Sequence, residues 1–235
     1  MEQKRLAGEK STEYIKDGMI IGLGTGSTVY YMIEKLGDMV SKGMKIKAVA
    51  TSHSTERLAK TFDIQVVSID EVDHIDLAID GVDEIDSSFN AIKGGGGALF
   101  REKIVASLSK QVIWILDESK YVDAVGEFPL PVEILPFGYT HTLKRLNDHS
   151  LNPELRVVDG NTFITDNGNY IVDLHLGKHL NIREVIQKLN SVTGVLENGF
   201  FINMCDRIIV GSEDHVKVID NPCKYGDNGA IGKYK

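Results

Sequence analysis

The chain has 235 residues, of which 26 are Lys or Arg and 34 are Asp or Glu, so its formal net charge is −8. Such an acidic chain, with no Lys- or Arg-rich tail, lacks the basic field that neutralises phosphates, which argues against a nucleic-acid partner. No run of about 18 apolar residues is present, which argues against a membrane-spanning helix and a membrane partner.

The first 120 residues alternate between short apolar runs and longer amphipathic ones. The apolar runs predict strands at residues 19–23, 46–50, 64–69, 75–79 and 112–116. Helices are predicted between them at residues 2–16, 27–41, 54–61 and 96–108. Because several of the strands are apolar at successive positions, the alternation predicts an α/β fold with a mainly parallel sheet and helices on both faces.

The pattern changes near residue 129, where three of the five prolines fall within eight positions. Helices are then predicted at residues 138–148 and 181–190, and strands at residues 155–158, 162–165, 170–176 and 195–202. This is an α+β pattern, and the apolar run 208–211 is predicted to rejoin the first sheet. We expect a catalytic domain (1–128 plus 205–220), an inserted α+β domain (129–204) and a poorly ordered tail (221–235).

The first motif is GLGTGST, residues 22–28, directly after a predicted strand and at the start of a predicted helix. Glycines let the backbone turn sharply, and the free N–H groups of a helix start favour an anion. It is not a P-loop, because no Lys precedes Ser27 and Thr28, and it fails the dinucleotide fingerprint, because Ser27 occupies the third glycine position. Phosphate binding and a simple strand-to-helix turn both stay open.

Two further motifs follow predicted strands. Asp80-Gly81-Val82-Asp83-Glu84 comes after the strand 75–79, and Asp117-Glu118-Ser119-Lys120 comes after the strand 112–116. Open α/β sheets bind ligands at the carboxyl ends of their strands. An acidic solvated turn and an exposed loop lysine are the ordinary explanations of such residues.

A fourth motif is Lys93 followed by four glycines, residues 94–97. Successive glycines cost backbone entropy, and they make sense where N–H groups must approach a ligand closely. Lys93 would then place a positive charge beside that ligand. The alternative is a flexible linker.

Glu102 lies on the helix predicted after these glycines. At about 100° per residue it falls between Ala98, Leu99, Val105 and Ala106, on an apolar arc. A carboxyl group in apolar surroundings has a raised pKa, which suits a general base that works near neutral pH. The alternative is an exposed Glu in an Arg-Glu-Lys surface triplet.

Other candidate residues give weaker evidence of a functional site. His175 and His179 have i, i+4 spacing, but no third ligand stands nearby, so a metal site is not expected. Cys205 and Cys223 lack CxxC spacing, which predicts one core thiol and one tail thiol rather than a disulfide or zinc site. The N-terminus lacks the apolar stretch of a signal peptide, so we expect a cytoplasmic protein.

Topology joins these signals. Parallel strands end at one edge of a sheet, so the glycine turn, the aspartate turn and Lys120 should meet there, with Lys93 and Glu102 brought close by a crossover. The set has no nucleophilic Ser or Cys with a His partner. It suits proton abstraction beside a carbonyl group in a phosphorylated substrate.

These motifs, in this order, resemble the ribose-5-phosphate isomerase A family over nearly the whole chain. Val82 stands where that family often has Ala, and the tail after Pro222 lies outside the resemblance. The segments that carry it are GLGTGST (22–28), ATSHST (50–55), DGVDEID (80–86), KGGGGALFREKIVA (93–106), DESK (117–120), LPVEILPFG (130–138) and TDNGNYIVD (165–173).

The resemblance implies a Rossmann-like domain with an inserted, smaller ferredoxin-like domain. It implies interconversion of D-ribose 5-phosphate and D-ribulose 5-phosphate in the non-oxidative branch of the pentose phosphate pathway. It also implies that no metal or organic cofactor is needed, and that the chain forms a homodimer or homotetramer.

Residue roles follow from the same resemblance. Glu102 matches the base that moves a proton between C2 and C1, and Asp80 matches the residue of ring opening and hydroxyl proton transfer, supported by Asp83. Lys93 and nearby N–H groups would stabilise the oxyanion. The expected substrate-binding residues are Lys4, Thr25, Gly26, Ser27, Thr28, Asp80, Gly81, Asp83, Lys93, Gly94, Gly95, Gly96 and Lys120.

Three rival functions are less consistent with the sequence. Glucosamine-6-phosphate deaminases share the broad fold and enediol chemistry, but they use a His in ring opening, and residues 80–102 contain none. A non-catalytic sugar-phosphate-sensing module would need a DNA-binding segment, for which the residues before 19 leave no room, and would have no need of Glu102. A nicotinamide-dependent oxidoreductase is disfavoured by the failed glycine fingerprint.

Overall fold

The computed structural model describes residues 1–178 and 180–225 of the chain. Its strands, in chain order, are β1 (Ile20–Leu23), β2 (Lys47–Ala50), β3 (Ile75–Gly81), β4 (Glu84–Ile85), β5 (Asn90–Ile92), β6 (Ser109–Asp117), β7 (Leu130–Ile134), β8 (Pro153–Leu155), β9 (Val157–Val158), β10 (Asn161–Thr162), β11 (Tyr170–Leu174), β12 (Val195–Asn198), β13 (Phe200–Ile202), β14 (Arg207–Gly211) and β15 (Val216–Asp220). Its α-helices are α1 (Glu2–Ser11), α2 (Ser27–Ser41), α3 (His53–Thr61), α4 (Leu99–Leu108), α5 (Tyr139–Asp148), α6 (Ile182–Ser191) and α7 (Pro222–Tyr225). None of these helices is long and apolar enough to cross a membrane.

The largest sheet has the strand order β15-β14-β6-β3-β1-β2. Its strands pair in parallel except for β15, which is antiparallel to β14. Outside β2, Val66 makes a single parallel bridge to Ala48. With that bridge counted as a strand, the parallel order becomes 3-2-1-4-5-6, the order of dinucleotide-binding folds, which reverses between β1 and β3. The predicted fold class is confirmed.

Helices cover both faces of this sheet. One face buries Ala7 of α1, Met32 of α2 and Ala59 of α3. The other face buries Leu99 and Val105 of α4. Helix α4 is therefore pressed against the sheet along the arc that contains Glu102.

The second half of the chain builds a smaller antiparallel sheet of order β12-β7-β11-β8. Leu146 of α5 and Leu189 of α6 are buried in its core. A three-stranded sheet, β13-β5-β4, connects the two halves, since Phe200 packs into the small core and Phe201 into the main one. The division into domains 1–128 plus 205–220 and 129–204 remains a proposal, with β13 as the strand shared between them.

The return of the chain to the first sheet is confirmed, because β14 pairs in parallel with β6, with Arg207 opposite Ile113. The tail prediction is wrong at its start. Asn221 is buried and donates from its side-chain amide to the Cys205 carbonyl, at 2.8 Å. The rest of the predicted tail, residues 226–235, lies outside the described residues. Cys205 is buried and Cys223 exposed, as predicted.

The predicted strand at residues 64–69 is wrong beyond its single bridge. Ala48 donates to the Gln65 carbonyl and accepts from the Val67 N–H, both at 2.9 Å. Ser68 then accepts a hydrogen bond from the Asp70 N–H and begins the short 3-10 helix Ile69–Glu71. Side-chain capping at Ser68 therefore turns the chain away before a ladder can form.

The predicted strand at residues 195–202 is two strands, β12 and β13, in different sheets. Gly199 separates them: its N–H donates to the Pro131 carbonyl at 2.7 Å, and its carbonyl accepts from the Lys93 N–H at 2.9 Å. A Cβ at Gly199 would lie 2.3 Å from the Lys93 carbonyl oxygen. The backbone approach that ties Lys93 to the small sheet requires glycine here.

Other boundaries differ for local reasons. The strands predicted at residues 155–158 and 162–165 are shorter, as β8, β9 and β10, and helix α1 ends at Ser11 in a 3-10 turn. Strands β4, β5, β7 and β15 were not predicted. β4 and β5 are too short to show periodicity, and β7 contains Pro131, which argues against an interior strand.

Candidate active site

A cavity of about 160 Å³ opens at the carboxyl ends of β1 and β3, where the strand order reverses. It is lined by Val82 and by every predicted site residue except Asp80, which lies at its floor, and Lys4, which lies at its rim. The lining residues are Thr25, Gly26, Ser27, Thr28, Gly81, Val82, Asp83, Lys93, Gly94, Gly95, Gly96, Glu102 and Lys120. The structure therefore brings the residues singled out in the sequence into one cleft.

A larger cavity, of about 490 Å³, lies on the other side of α4. Val49, Val67 and Ile104 give it a mainly apolar wall, and no predicted site residue reaches it. The smaller cavity is the candidate site because the charged groups converge there.

The glycine turn after β1 supplies an anion site. A Cβ at Gly24 would lie 1.9 Å from Asp80 Oδ1, so only glycine lets this turn pass the aspartate. Gly26 has φ +128° and precedes α2, whose N-terminus has no side-chain cap among the residues described. Lys4 of α1 donates to Ser27 Oγ at 3.0 Å. The N–H groups at the start of α2, the Ser27 hydroxyl and the Lys4 ammonium thus lie together, which is a favourable place for a phosphate.

Thr25 lines the cavity, and its side chain also holds the glycine turn in place. Its hydroxyl is hydrogen-bonded to Thr51 and Ser52, both at 2.8 Å, and to Thr55 at 3.1 Å. Its N–H donates to Asp80 Oδ1 at 3.0 Å. Thr25 therefore fixes the turn through this hydroxyl cluster. The run of hydroxyl residues after β2, within ATSHST, was the available signal, and sequence reasoning gave it no role.

Three charged side chains meet at the floor of the cleft. The Lys93 ammonium lies 3.0 Å from Asp80 Oδ2 and 3.2 Å from Glu102 Oε2, and it donates to the Gly81 carbonyl at 2.5 Å. Asp80 also accepts from the N–H groups of Thr25 and Gly81, at 3.0 and 2.7 Å. Glu102 Oε2 is buried and its approach to Lys93 lacks hydrogen-bond geometry, so no group among the described residues donates to it.

Burial, helped by the nearby Asp80 charge, raises the pKa of Glu102 to about 8 against the opposing effect of Lys93. Burial also raises the pKa of Asp80, against Lys93 and two N–H donors. Burial alone would lower the pKa of Lys93, but Asp80 and Glu102 outweigh it and raise that pKa, so Lys93 stays cationic. Two N–H groups donate to Asp80 and none donates to Glu102. Of the two carboxyl groups, Glu102 is therefore the one that holds a proton more readily.

Asp83 and Lys120 stand on the opposite wall. Asp83 Oδ2 accepts from the Gly95 N–H at 2.7 Å, and its Oδ1 lies 4.0 Å from the Lys120 ammonium. Lys120 donates to the Val82 carbonyl at 2.8 Å. Asp83 therefore holds both the glycine loop and Lys120 in place around the cavity.

The neighbouring Glu84 has a structural role. Its carboxylate is buried and accepts from the N–H groups of Gly126 and Phe128, at 2.7 and 2.8 Å. Of the acidic run that follows β3, only part faces the cleft. Sequence reasoning also missed Arg156, which reaches the carbonyls of Gly94 and Gly95, both at 3.0 Å, because no motif marks it.

No group of three or more His, Cys, Asp or Glu within the described ranges is placed to hold a metal ion. His175 lies 3.0 Å from Glu154 on the surface, and His179 is outside the described residues. The arrangement in the cleft instead combines an anion site, a buried cation and a carboxyl group with a pKa near neutrality. Such a set can move a proton next to a developing oxyanion.

The sequence is similar to proteins of known name. The family model of ribose 5-phosphate isomerase A (phosphoriboisomerase A) matches residues 47–215. The ribose-5-phosphate isomerase A of Bifidobacterium adolescentis is 47% identical over 223 residues, which cover 94% of this chain and 96% of that protein. The ribose-5-phosphate isomerase A of Bacillus mycoides is 50% identical over 218 residues, which cover 92% of this chain and 99% of that protein.

The fold is similar to solved structures of the same name. The ribose 5-phosphate isomerase of Plasmodium falciparum matches with a TM-score of 0.89 and 37% identity, over 94% of this chain and 99% of that one. A D-ribose-5-phosphate isomerase in complex with phospho-erythronic acid matches with a TM-score of 0.88 and 38% identity, over 93% of this chain and 98% of that one.

Proposed function

The chain belongs to the ribose 5-phosphate isomerase A family, and from that premise we propose that it interconverts D-ribose 5-phosphate and D-ribulose 5-phosphate with Glu102 as the general base. The observation that carries the assignment of the base is the Glu102 carboxyl group itself. It is buried at the floor of an anion-binding cleft, lacks a hydrogen-bond donor in the described structure, and has its pKa raised to about 8. The reaction belongs to the non-oxidative branch of the pentose phosphate pathway.

The substrate binds through its phosphate group. The N-terminus of α2, with Ser27 and Thr28, receives the phosphate oxygens, and the ammonium groups of Lys4 and Lys120 neutralise their charge. This anchoring directs the C1–C2 end of the sugar towards Glu102 and Lys93. Asp80, beside Lys93, assists opening of the furanose ring by exchanging a proton with a sugar hydroxyl, and Asp83 supports it by holding the glycine loop.

Proton transfer then proceeds through an enediolate. Glu102 removes the proton from C2 of the open-chain aldehyde, the C–H electron pair forms the C1=C2 double bond, and the carbonyl oxygen takes the negative charge. Lys93 and the N–H groups of the glycine loop stabilise that charge. Glu102 returns the proton to C1 while the O2 hydroxyl proton passes to O1, which gives the ketose with no co-reactant consumed.

The assay of the chelator-treated protein with ribose 5-phosphate tests the proposal. We expect ribulose 5-phosphate as the product, and a kcat lower by about 10²–10⁴ in Glu102→Gln, because that variant keeps the shape but loses the base. KM should stay within a few-fold. The matched control is Glu127→Gln, since that side chain is 69% exposed and pairs with Lys178 at the surface.

Two outcomes would contradict the proposal in different ways. Turnover near the wild-type value in Glu102→Gln would show that another group is the base. Absence of isomerase activity in the wild type, with sugar-phosphate binding retained, would favour the non-catalytic sensing module. A loss of ammonia from glucosamine 6-phosphate, with no pentose isomerisation, would favour the deaminase.

Two finer points are also proposed. The protein forms a homodimer or homotetramer, supported by the apolar side chains of Phe137 and Leu135, which are 90% and 43% exposed. Light scattering of the purified protein checks this, and a monomer at micromolar concentration would contradict it.

The protein acts in the cytoplasm, where its sugar-phosphate substrate is made, and cell fractionation checks that location.

A further inference from the structure

Arg156 is fixed in the small sheet between β8 and β9. Its N–H donates to the Ile171 carbonyl and its carbonyl accepts from the Phe163 N–H, both at 2.9 Å. Its guanidinium forms a bidentate pair with Asp173, in which Nε lies 2.8 Å from Oδ2 and Nη2 contacts Oδ1. The Arg156 side chain is only 12% exposed, so both its backbone and its planar head are held in one orientation.

The remaining guanidinium nitrogen reaches across to the glycine loop of the cleft. Nη1 donates to the carbonyls of both Gly94 and Gly95, at 3.0 Å each. The Arg156 head also lies 5.8 Å from the centre of the Phe163 ring, which fills the space where Gly97 lacks a Cβ. The small sheet thus grips this loop from the side opposite to the cavity.

Because a peptide is planar, the hydrogen bonds from Arg156 to the two carbonyls also fix the direction of the N–H groups of the same peptides. In a trans peptide the N–H points opposite to the carbonyl of the same plane. The Gly94 carbonyl faces Arg156, and the N–H of the same peptide, that of Gly95, points to Asp83 at 2.7 Å, as expected. The Gly95 carbonyl also faces Arg156, so the Gly96 N–H must point away from Arg156, towards the cavity.

The Gly96 N–H is available to a ligand. It has no acceptor among the described residues, and Gly96 faces Thr25, since a Cβ added to it would lie 3.7 Å from Thr25 Cγ2. The guanidinium on the carbonyl side polarises the same peptide and strengthens its N–H as a donor.

We propose that Arg156, anchored by Asp173, is a positioning residue for the isomerisation, because it orients the Gly95–Gly96 peptide so that its N–H donates to the oxyanion of the enediolate. This inference rests on the proposed function. It makes the rate of a reaction at the main sheet depend on a side chain of the small sheet that does not touch the substrate.

The test compares kcat, KM and two binding constants in Arg156→Met. Loss of a whole oxyanion donor costs about 10²–10³ in kcat, and a donor that is only misaligned keeps part of its effect, so we expect a fall of about 10- to 100-fold. KM should stay within about threefold. The affinity for phospho-erythronic acid, whose planar carboxylate resembles the enediolate, should fall with kcat/KM, whereas the affinity for inorganic phosphate should not change.

Arg101→Met is the matched control. Arg101 also connects the two halves, since it donates to Asn167 Oδ1 at 2.8 Å and to the Asp166 carbonyl at 2.9 Å, but it does not touch the glycine loop. Its kcat should stay within about twofold of the wild type. If Arg156→Met does not fold, Arg156→Lys replaces it: a lysine keeps the charge but cannot bind Asp173 and two carbonyls at once, so kcat should fall about three- to tenfold.

The outcomes separate the inference from the function on which it rests. A wild type without isomerase activity contradicts the proposed function. An active wild type with wild-type kcat in the folded Arg156 variant contradicts the inference alone. So does an equal loss in Arg101→Met, or a loss of phosphate binding as large as the loss of phospho-erythronic acid binding, because either would indicate general damage to the cleft.

Discussion

Asp80 and Glu102 are both buried beside Lys93, but their surroundings differ in one respect that matters for catalysis. Asp80 accepts hydrogen bonds from two backbone N–H groups and forms an ion pair with Lys93, whereas Glu102 has only the ion pair with Lys93. Each donor stabilises the ionised carboxylate. The donors around Asp80 favour its ionised form, whereas Glu102, with a pKa of about 8, must lose its proton before it can remove one from a C–H bond.

The pH dependence of kcat/KM follows from the pKa of Glu102, about 8. The base must be ionised, and a raised pKa means that the active form is lost as pH falls through about 8, so kcat/KM should drop nearly tenfold per pH unit below that value and level off above it. The substrate phosphate titrates lower, near pH 6. Rate measurements from pH 6 to 9.5 check this, and a flat profile between pH 6.5 and 9 would contradict it.

A second variant identifies the cause of the shift. The Asp80 charge is one reason why the pKa of Glu102 is raised. In Asp80→Asn, the fall of the residual kcat/KM on the acidic side of the pH profile should therefore begin at a lower pH. If the fall begins at the same pH as in the wild type, burial alone sets the pKa of Glu102.

At the scale of elements, the four glycines after Lys93 form a braced loop rather than a flexible linker. Gly94 and Gly97 have φ of +102° and +78°, in the region that favours glycine, and helix α4 begins only at Leu99. Asp83 and Arg156 hold the loop from opposite sides. Glycine is therefore required for conformation at Gly94 and Gly97 and for the close approach of Asp83 at Gly95, where a Cβ would lie 2.7 Å from Asp83 Oδ1.

This difference predicts unequal effects of alanine within the loop. In Gly97→Ala the new Cβ would lie 2.3 Å from the Phe163 ring at a positive φ, so the free energy of unfolding should fall by about 1–3 kcal/mol, and kcat should fall with it. In Gly96→Ala the nearest atom is 3.7 Å away and φ is unstrained, so stability should change by less than about 1 kcal/mol. Denaturant unfolding of both variants measures this, and equal losses would contradict the assigned conformations.

At the scale of the whole molecule, the net charge of −8 coexists with a site for an anion. In the cleft, three lysines from distant parts of the chain, Lys4, Lys93 and Lys120, balance the carboxyl groups of Asp80, Asp83 and Glu102, so the acidic excess lies outside it. Local potential, not total charge, decides what binds in a cleft.

The last strands belong to the same core as the first 120 residues. Ile208 of β14 is fully buried beside β6, whereas Val218 of the adjacent β15 is 37% exposed. Ile208→Ala should lower the free energy of unfolding by about 2–5 kcal/mol, because it leaves a cavity in the main core. Val218→Ala should cost less than about 1 kcal/mol. Denaturant unfolding checks both, and a similar cost for the two would contradict a core that includes β14.

The sequence by itself determined the alternation of strands and helices, the return of residues 208–211 and the residues of the cleft. These follow from local patterns: apolar periodicity, glycine turns and charged residues at strand ends, which parallel topology must bring to one edge. Helical spacing also puts Glu102 on an apolar arc, which left a buried and an exposed carboxyl group both open, and the structure buries it.

Only the tertiary structure decided what depends on pairs of residues far apart in the chain. Gly199 divides one predicted strand between two sheets, and the Thr25 hydroxyl bonds to Thr51, Ser52 and Thr55. The pKa of Glu102 and the hydrogen bonds of Arg156 to the glycine loop also depend on such contacts between distant residues. Gly199, for example, bonds to Lys93, which lies 106 residues before it, and Arg156 bonds to carbonyls 62 and 61 residues before it. A sequence pattern carries no distances until the chain has packed.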